Sequence, residues 1–219
     1  MLKGIIFDMD GVLIDSTESN FEAFGKFIHN YGGTLKPENR NKYLGKSLAD
    51  QLKLWKEDFP GIPQNMTVQQ LSKIIGEYQA EFEEKLTTNI IVLELIKKAK
   101  NRGIKIGVGT SSTRKRAERL LMKIGLLDEL NTLITAEETS KHKPNPEVFL
   151  NVANELQIES HNCLVIEDAV NGIQAANSAG MKSVARLTSF HTIDDFQDAD
   201  YVFEDFSNLS LENLESLFK

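Results

Sequence analysis

Short, uniformly apolar runs alternate with amphipathic stretches along most of the chain. Such runs, when bounded by polar or turn-forming residues, are typical of buried parallel strands. They span residues 4–8, 104–110, 132–136, 163–168 and 182–187. Amphipathic, helix-like stretches lie between them, at 90–103, 113–127, 145–158 and 169–180. This alternation predicts an α/β fold with a doubly wound parallel sheet and helices on both faces.

The pattern between the first and second runs is that of a helical insertion. No convincing strand occurs there, and one apolar helical face is formed by Phe21, Phe24, Phe27, Ile28 and Tyr31. A crossover between parallel strands needs only about a dozen residues, whereas this segment has about 70 helical ones. We therefore expect a catalytic core of residues 1–15 and 88–219 and a small α-helical cap domain of residues 16–87.

Polar side chains follow four of the five predicted strands. The set comprises Asp8, Asp10, Thr110, Ser111, Ser112, Lys141, Lys143, Glu167 and Asp168. Carboxyl ends of parallel strands share one edge of a sheet, and ligands of open α/β folds bind beyond that edge. We expect these side chains to line one crevice, with the helical insertion as a lid.

This set of side chains indicates phosphoryl transfer. Asp8 and Asp10 repel each other, and burying them is costly unless a cation compensates. Oxygen ligands without clusters of His or Cys favour Mg²⁺ over Zn²⁺, with Asp8 and Asp168 as direct ligands. Hydroxyls at a helix start and a lysine suit phosphate oxygens. A carboxylate can be the nucleophile, and its neighbour can carry the proton.

Charge and hydropathy exclude several other classes. The formal net charge of −7 argues against broad nucleic-acid binding, which needs a basic surface. No apolar stretch approaches the roughly 20 residues that span a bilayer, and the N-terminal run is too short for a signal peptide. We expect a cytoplasmic protein, monomeric, with no nucleic-acid or membrane partner.

Four motifs at the predicted strand ends have a recognisable combination. They are FDMDGVLIDS (7–16), VGTSS (108–112), KPNP (143–146) and VIEDAVNGIQAANSAGM (165–181). Together they resemble the haloacid dehalogenase (HAD)-like hydrolases, in the branch of β-phosphoglucomutase and phosphoglycolate phosphatase. The resemblance covers essentially the whole chain. It implies a Rossmann-like HAD core with a helical cap inserted after the first strand.

The resemblance also implies a role for each motif. Asp8 would be the nucleophile that becomes phosphorylated, and Asp10 the general acid/base. Mg²⁺ would be held by Asp8, the backbone carbonyl of Asp10 and Asp168, with Glu167 as a further ligand or directly behind the ligands. The residues implied to bind phosphate are Thr110, Ser111, Ser112 and Lys143.

The cap departs from the β-phosphoglucomutase pattern. Asn20 stands where that pattern has a histidine, and the loop 44–52 has Lys46 where the pattern has an arginine. A lysine lacks the bidentate fork that holds a second phosphate firmly. We therefore favour a phosphatase for a small phosphorylated metabolite of the sugar phosphate or phosphoglycolate type. Asn20, Lys46 and Ser47 are candidate specificity residues.

Two alternatives remain open at this point. The first is a phosphomutase of the β-phosphoglucomutase type, which the intact core motifs permit. The second is a non-catalytic phosphate-binding regulatory module, which the complete motif set disfavours.

Overall fold

A parallel sheet of six strands forms the centre of the larger of two compact units. In this computed structural model its strands are β1 (Gly4–Phe7), β2 (Lys105–Gly109), β3 (Thr132–Ile134), β4 (Cys163–Glu167), β5 (Lys182–Arg186) and β6 (Tyr201–Phe203). Their spatial order is β3-β2-β1-β4-β5-β6, and every neighbouring pair is parallel. This order confirms the predicted doubly wound α/β fold.

The structure describes residues 1–43, 48–83, 86, 88–189 and 191–219. For residues 17, 40 and 41 it describes the backbone only. The predicted specificity residues Lys46 and Ser47 lie outside the described residues. The helices, in chain order, are α1 (Thr17–Asn30), α2 (Arg40–Tyr43), α3 (Leu48–Asp58), α4 (Val68–Phe82), α5 (Ile90–Asn101), α6 (Arg114–Lys123), α7 (Glu147–Leu156), α8 (Val170–Ser178) and α9 (Leu211–Ser216). Among the described residues, no helix is both long enough and apolar enough to cross a membrane.

Two compact units divide the chain. The first consists of Met1–Ile14 and Thr87–Lys219 and contains the sheet, and the second consists of Asp15–Leu86 and contains α1 to α4. Whether these units act as a catalytic core and a cap, with the predicted boundaries at residues 16 and 87, stays a prediction.

The central strands of the sheet are buried on both faces. Side chains of β1 and β4 from Ile5 to Phe7 and from Leu164 to Ile166 have no exposed surface. Because helices cover both faces, these strands need apolar residues at every position instead of alternate ones. Their carboxyl ends are therefore held rigidly, and the polar residues that follow them start from fixed positions.

The helical unit has its own aromatic core. Trp55 is fully buried, and its ring lies 5.2 Å from that of Phe24 and 5.5 Å from that of Phe27, measured between centroids. Helix α4 begins at a capping box in which Thr67 and Gln70 satisfy each other's backbone N–H groups. Aromatic packing and helix capping thus stabilise this unit from within.

Gly107 in β2 provides a test of the packing between the sheet and α7. A Cβ at this position would lie 2.4 Å from Cγ1 of Val152. We expect Gly107→Ala to lower the free energy of unfolding by about 1–3 kcal/mol because it overpacks the core. Denaturant titration followed by circular dichroism measures the change.

Gly76 in α4 is the matched control. Apart from the adjoining backbone of its helix, no described heavy atom lies within 4 Å of where its Cβ would be. Gly76→Ala should raise stability by about 1 kcal/mol through helix propensity alone. If Gly107→Ala were equally stabilising, the packing described here would be wrong.

Candidate active site

The crevice beyond the carboxyl ends of β1 and β4 brings the first predicted site residues together. Strands β2 and β3 continue the sheet on one side of this pair, and β5 and β6 continue it on the other. Such a reversal of strand order is where open α/β sheets bind ligands. Asp8 follows β1, and its backbone N–H donates to the carbonyl oxygen of Ile166 at 2.9 Å. Asp8 therefore lies beside the end of β4, where Glu167 stands.

Lys143 joins the two carboxylates at this point. Its Nζ lies 2.5 Å from Oδ1 of Asp8 and 2.8 Å from Oε1 of Glu167, and it donates to the carbonyl oxygen of Gly109 at 3.2 Å. The side chain of Lys143 is only 5% exposed. Lys141, which the sequence placed in the same group, is exposed.

Glu167 is engaged through both carboxylate oxygens. Its Oε2 accepts hydrogen bonds from the backbone N–H groups of Asp168 and Ala169, each at 2.7 Å, next to the start of α8. Gly172 makes room for this carboxylate, because a Cβ there would lie 1.9 Å from Oε1 of Glu167. The geometry therefore fixes Glu167 between Lys143 and the backbone of the turn.

Asp168 lies against the turn that follows β1. Gly11 has a φ of +78°, and a Cβ on it would lie 1.9 Å from Oδ2 of Asp168. Only glycine combines this backbone conformation with so close an approach. Arg186, at the end of β5, donates to the carbonyl oxygen of Gly11 and so ties the same turn to the sheet.

Burial, together with an excess of carboxylates over the one ammonium group, raises the pKa values of Asp8 and Asp168. Burial raises the pKa of Asp8 to about 7, with Lys143 opposing the shift and Glu167 and Asp10 adding to it. Burial, Glu167 and Asp8 likewise raise the pKa of Asp168 well above its ordinary value. Burial alone would lower the pKa of Lys143, but Asp8 and Glu167 raise it, so the ammonium stays charged. The cluster holds more negative charge than one ammonium balances.

The donor set suits a hard divalent cation that keeps part of its water. Within the described residues, no three Asp, Glu, His or Cys side chains converge closely enough to hold a metal by themselves. Mg²⁺ is usually bound by only one or two carboxylates, with waters and substrate phosphates completing its shell. Asp8 and Asp168 fit that requirement, since both are oxygen donors whose charge calls for a cation.

The turn after β2 contributes hydroxyl groups. Thr110 is buried, and its Oγ1 accepts a hydrogen bond from the backbone N–H of Ser112 at 3.1 Å. The Oγ of Ser112 donates to Oδ2 of Asp10 at 2.9 Å. Ser111 is exposed. Ser112 thus contacts Asp10, the predicted acid/base. The motif alone did not indicate this contact.

Arg116 of α6 belongs to the site and was missed by the sequence analysis. Its two terminal nitrogens lie 2.6 Å from Oδ2 and 2.7 Å from Oδ1 of Asp10, and it also donates to Oγ of Ser112. A signal was present, because three basic residues open α6 where the helix dipole disfavours cations. This placement indicates that at least one of these basic residues pairs with a carboxylate.

The predicted specificity residue Asn20 is engaged within the helical unit. Its Oδ1 accepts a hydrogen bond from Nε2 of Gln79 at 2.7 Å, and its Nδ2 donates to Oγ of Ser16 at 3.4 Å. Asn20 therefore links α1 to α4.

Comparison with known proteins defines the family. The family model described as haloacid dehalogenase-like hydrolase matches residues 5–186. The chain belongs to the haloacid dehalogenase-like hydrolases. This membership confirms the family that the four motifs indicated.

Three HAD relatives show how far the similarity extends. The putative phosphatase YhcW of Bacillus subtilis is 30% identical over 96% of this chain and 95% of its own length. The phosphorylated carbohydrates phosphatase of Thermotoga maritima is 26% identical, over 89% of this chain and 88% of its own. The crystal structure of β-phosphoglucomutase from Clostridium difficile has a TM-score of 0.85 at 26% identity, covering 100% of this chain and 97% of that one.

The raised pKa of Asp8 predicts a pH dependence of stability. Its pKa is about 7 in the folded protein and ordinarily near 3.8, so between these values the folded state binds more protons than the unfolded state. The stability that protonated Asp8 contributes is complete below about pH 4 and is lost as the pH rises through about 7. In metal-free protein, we expect Asp8→Asn to gain stability relative to wild type over that range.

Urea titrations in EDTA at several pH values measure this difference. Asp198→Asn, which changes an exposed aspartate, is the control and should parallel wild type. A wild type that gained stability relative to Asp8→Asn between pH 4 and 7 would contradict the electrostatic description of the site.

Proposed function

We propose that the chain is a divalent-metal-dependent phosphatase that hydrolyses a small phosphomonoester through an aspartyl-phosphate at Asp8. The observation that carries this proposal is the contact between Asp8 and Lys143 beyond the ends of β1 and β4, where the strand order of the sheet reverses. Family membership and the phosphatases among its relatives support the coarser statement that the chain is an HAD-type phosphatase.

A divalent metal is generally used by phosphatases of this family, and we propose Mg²⁺ here. Asp8, Asp168 and the backbone carbonyl of Asp10 would hold it, while Glu167 would orient Lys143 because both of its oxygens are already engaged. When bound, the metal would neutralise charge on the transferred phosphoryl group.

In the first half of the reaction, Asp8 attacks the phosphorus atom. A bond forms between its free carboxylate oxygen and phosphorus while the bond to the leaving oxygen breaks. Lys143, which contacts the other oxygen of Asp8, would stabilise the charge of the phosphoryl group, and Thr110 would donate a hydrogen bond to it. Positioning and charge neutralisation are what this class of reaction requires.

Asp10 would handle the proton in both halves of the reaction. It protonates the leaving oxygen in the first half. In the second half it accepts a proton from the water that attacks phosphorus, and the bond between phosphorus and Asp8 breaks to release phosphate. The two aspartates two residues apart therefore have distinct tasks.

The substrate class that we propose is a phosphorylated small metabolite of the sugar phosphate or phosphoglycolate type. One relative is named as a phosphatase of phosphorylated carbohydrates, which favours the sugar phosphates. The helical unit is proposed as the cap domain that sets specificity. Asn20 is bound to Gln79 within that unit, so we propose that it shapes the cap and that Lys46 and Ser47 are the better candidates for substrate contact.

Replacement of the nucleophile tests the catalytic assignment. Asp8→Asn should lower kcat for p-nitrophenyl phosphate by about 10⁴-fold or more, as expected when a nucleophile is removed. Release of p-nitrophenol with Mg²⁺ present measures turnover, and Asp198→Asn should retain wild-type rates. Full turnover by Asp8→Asn would overturn the assignment.

A mutase is the second candidate, because a solved β-phosphoglucomutase shares the fold at 26% identity. A panel of sugar phosphates, assayed for free phosphate and for isomerised sugar phosphate, separates the two. We expect phosphate release without any added bisphosphate. Isomerisation that requires a bisphosphate and releases little phosphate would instead establish the mutase. Phosphate binding with no turnover of any substrate would indicate a regulatory module.

A further inference from the structure

We propose that Arg116 is a positioning residue that fixes the direction of the Asp10 carboxylate for proton transfer. The inference rests on the proposed function, because Asp10 carries a proton only if the chain hydrolyses phosphomonoesters as described. It adds a residue outside the four sequence motifs to the machinery of the reaction.

The contact between the two side chains is a bidentate fork. One guanidinium nitrogen lies 2.6 Å from Oδ2 of Asp10, and the other lies 2.7 Å from Oδ1. Two parallel hydrogen bonds define the plane of the carboxylate, whereas one would leave it free to rotate about its last torsion. Ser112 donates a third hydrogen bond, at 2.9 Å to Oδ2.

Arg116 is itself held on a rigid support. Its side chain is 11% exposed, and its backbone N–H donates to Oγ1 of Thr113, which caps α6. The apolar face of α6 is buried through Ala117, Leu120 and Leu121. A side chain projecting from a packed helix holds a partner more precisely than one on a loop.

The position of Arg116 also has an electrostatic cost that Asp10 offsets. A cation in the first turn of a helix is disfavoured by the positive end of the helix dipole. A partly buried guanidinium there needs a carboxylate partner, and Asp10, whose side chain is 27% exposed, supplies it. The pair therefore stabilises one orientation of both side chains.

Direction matters because proton transfer needs the acid oxygen of Asp10 to meet the leaving oxygen. The fork to both oxygens belongs to the ionised carboxylate. When Asp10 carries the proton, Oδ1 holds it and gives up its contact with Arg116, while Oδ2 keeps its hydrogen bonds from Arg116 and Ser112. An alcohol leaves slowly without a proton, whereas p-nitrophenolate leaves readily without one. Loss of Arg116 should therefore slow substrates with alcohol leaving groups most. A role in binding the phosphoryl group would instead weaken all phosphomonoesters equally.

The experiment compares kcat/KM for p-nitrophenyl phosphate, phenyl phosphate and glycerol phosphate in wild type and Arg116→Ala. We expect a loss of about 10- to 100-fold for glycerol phosphate, part of the effect that general acid catalysis supplies, and a clearly smaller loss for p-nitrophenyl phosphate. The loss in kcat/KM for phenyl phosphate should lie between the losses for the other two substrates.

Two further variants make the result specific. Arg116→Lys keeps the charge but not the fork, so it should restore only part of the lost rate for glycerol phosphate. Lys115→Ala removes a charge from the adjacent, exposed position of α6 and should match wild type on all three substrates. Thermal unfolding of each variant, together with its remaining activity on p-nitrophenyl phosphate, reports that it is folded.

Equal losses on all three substrates, or no loss, would overturn the role of Arg116. So would complete rescue by Arg116→Lys, since charge alone would then suffice. These results are separable from failure of the proposed function, because an inactive Asp8→Asn variant would still establish the nucleophile. An active one would end both proposals.

Discussion

A surplus of carboxylates at the ends of two neighbouring strands is the constraint on which this structure depends. The four carboxylates are those of Asp8, Asp10, Glu167 and Asp168. Two cationic side chains pair with three of them. Lys143 contacts Asp8 and Glu167, and Arg116 contacts Asp10. No ion pair of the described residues includes Asp168, whose pKa is raised by burial and by its acidic neighbours. A divalent cation would neutralise the negative charge that these ion pairs leave unbalanced, and it would then be available for phosphoryl transfer.

The sheet makes this concentration of charge possible. Because β1 and β4 are fully buried and paired in register, the residues that follow them have little freedom to move apart. Gly11 and Gly172 then let Asp168 and Glu167 approach the backbone more closely than any side chain would allow. Repulsion that would separate carboxylates on flexible loops is resisted here by the hydrophobic core.

The parts of the fold that sequence predicted are those with a local signature. Strands β1 to β5 show as apolar runs, and Asp8, Lys143 and Asp168 follow from where those runs end. Strand β6 was missed because its apolar run has only three residues, between Asp200 and Glu204, whereas the run that contains β3 extends over 132–136. Helix α9 was missed because six residues are too few for a helical period to show. Arg116 was missed because its partner is 106 residues away along the chain, and only the folded sheet brings the two together. The family motifs likewise could not show that Ser112 contacts Asp10.

The most direct test of the central claim is the effect of Mg²⁺ on thermal unfolding of wild type and Asp168→Asn near pH 7.5. A cation that binds only the folded state raises the unfolding temperature in step with its concentration. The charge surplus predicts a saturable rise for wild type, beyond that of NaCl at equal ionic strength, and its loss in Asp168→Asn. An equal rise in both proteins, or none in wild type, would contradict the claim that a divalent cation balances these carboxylates.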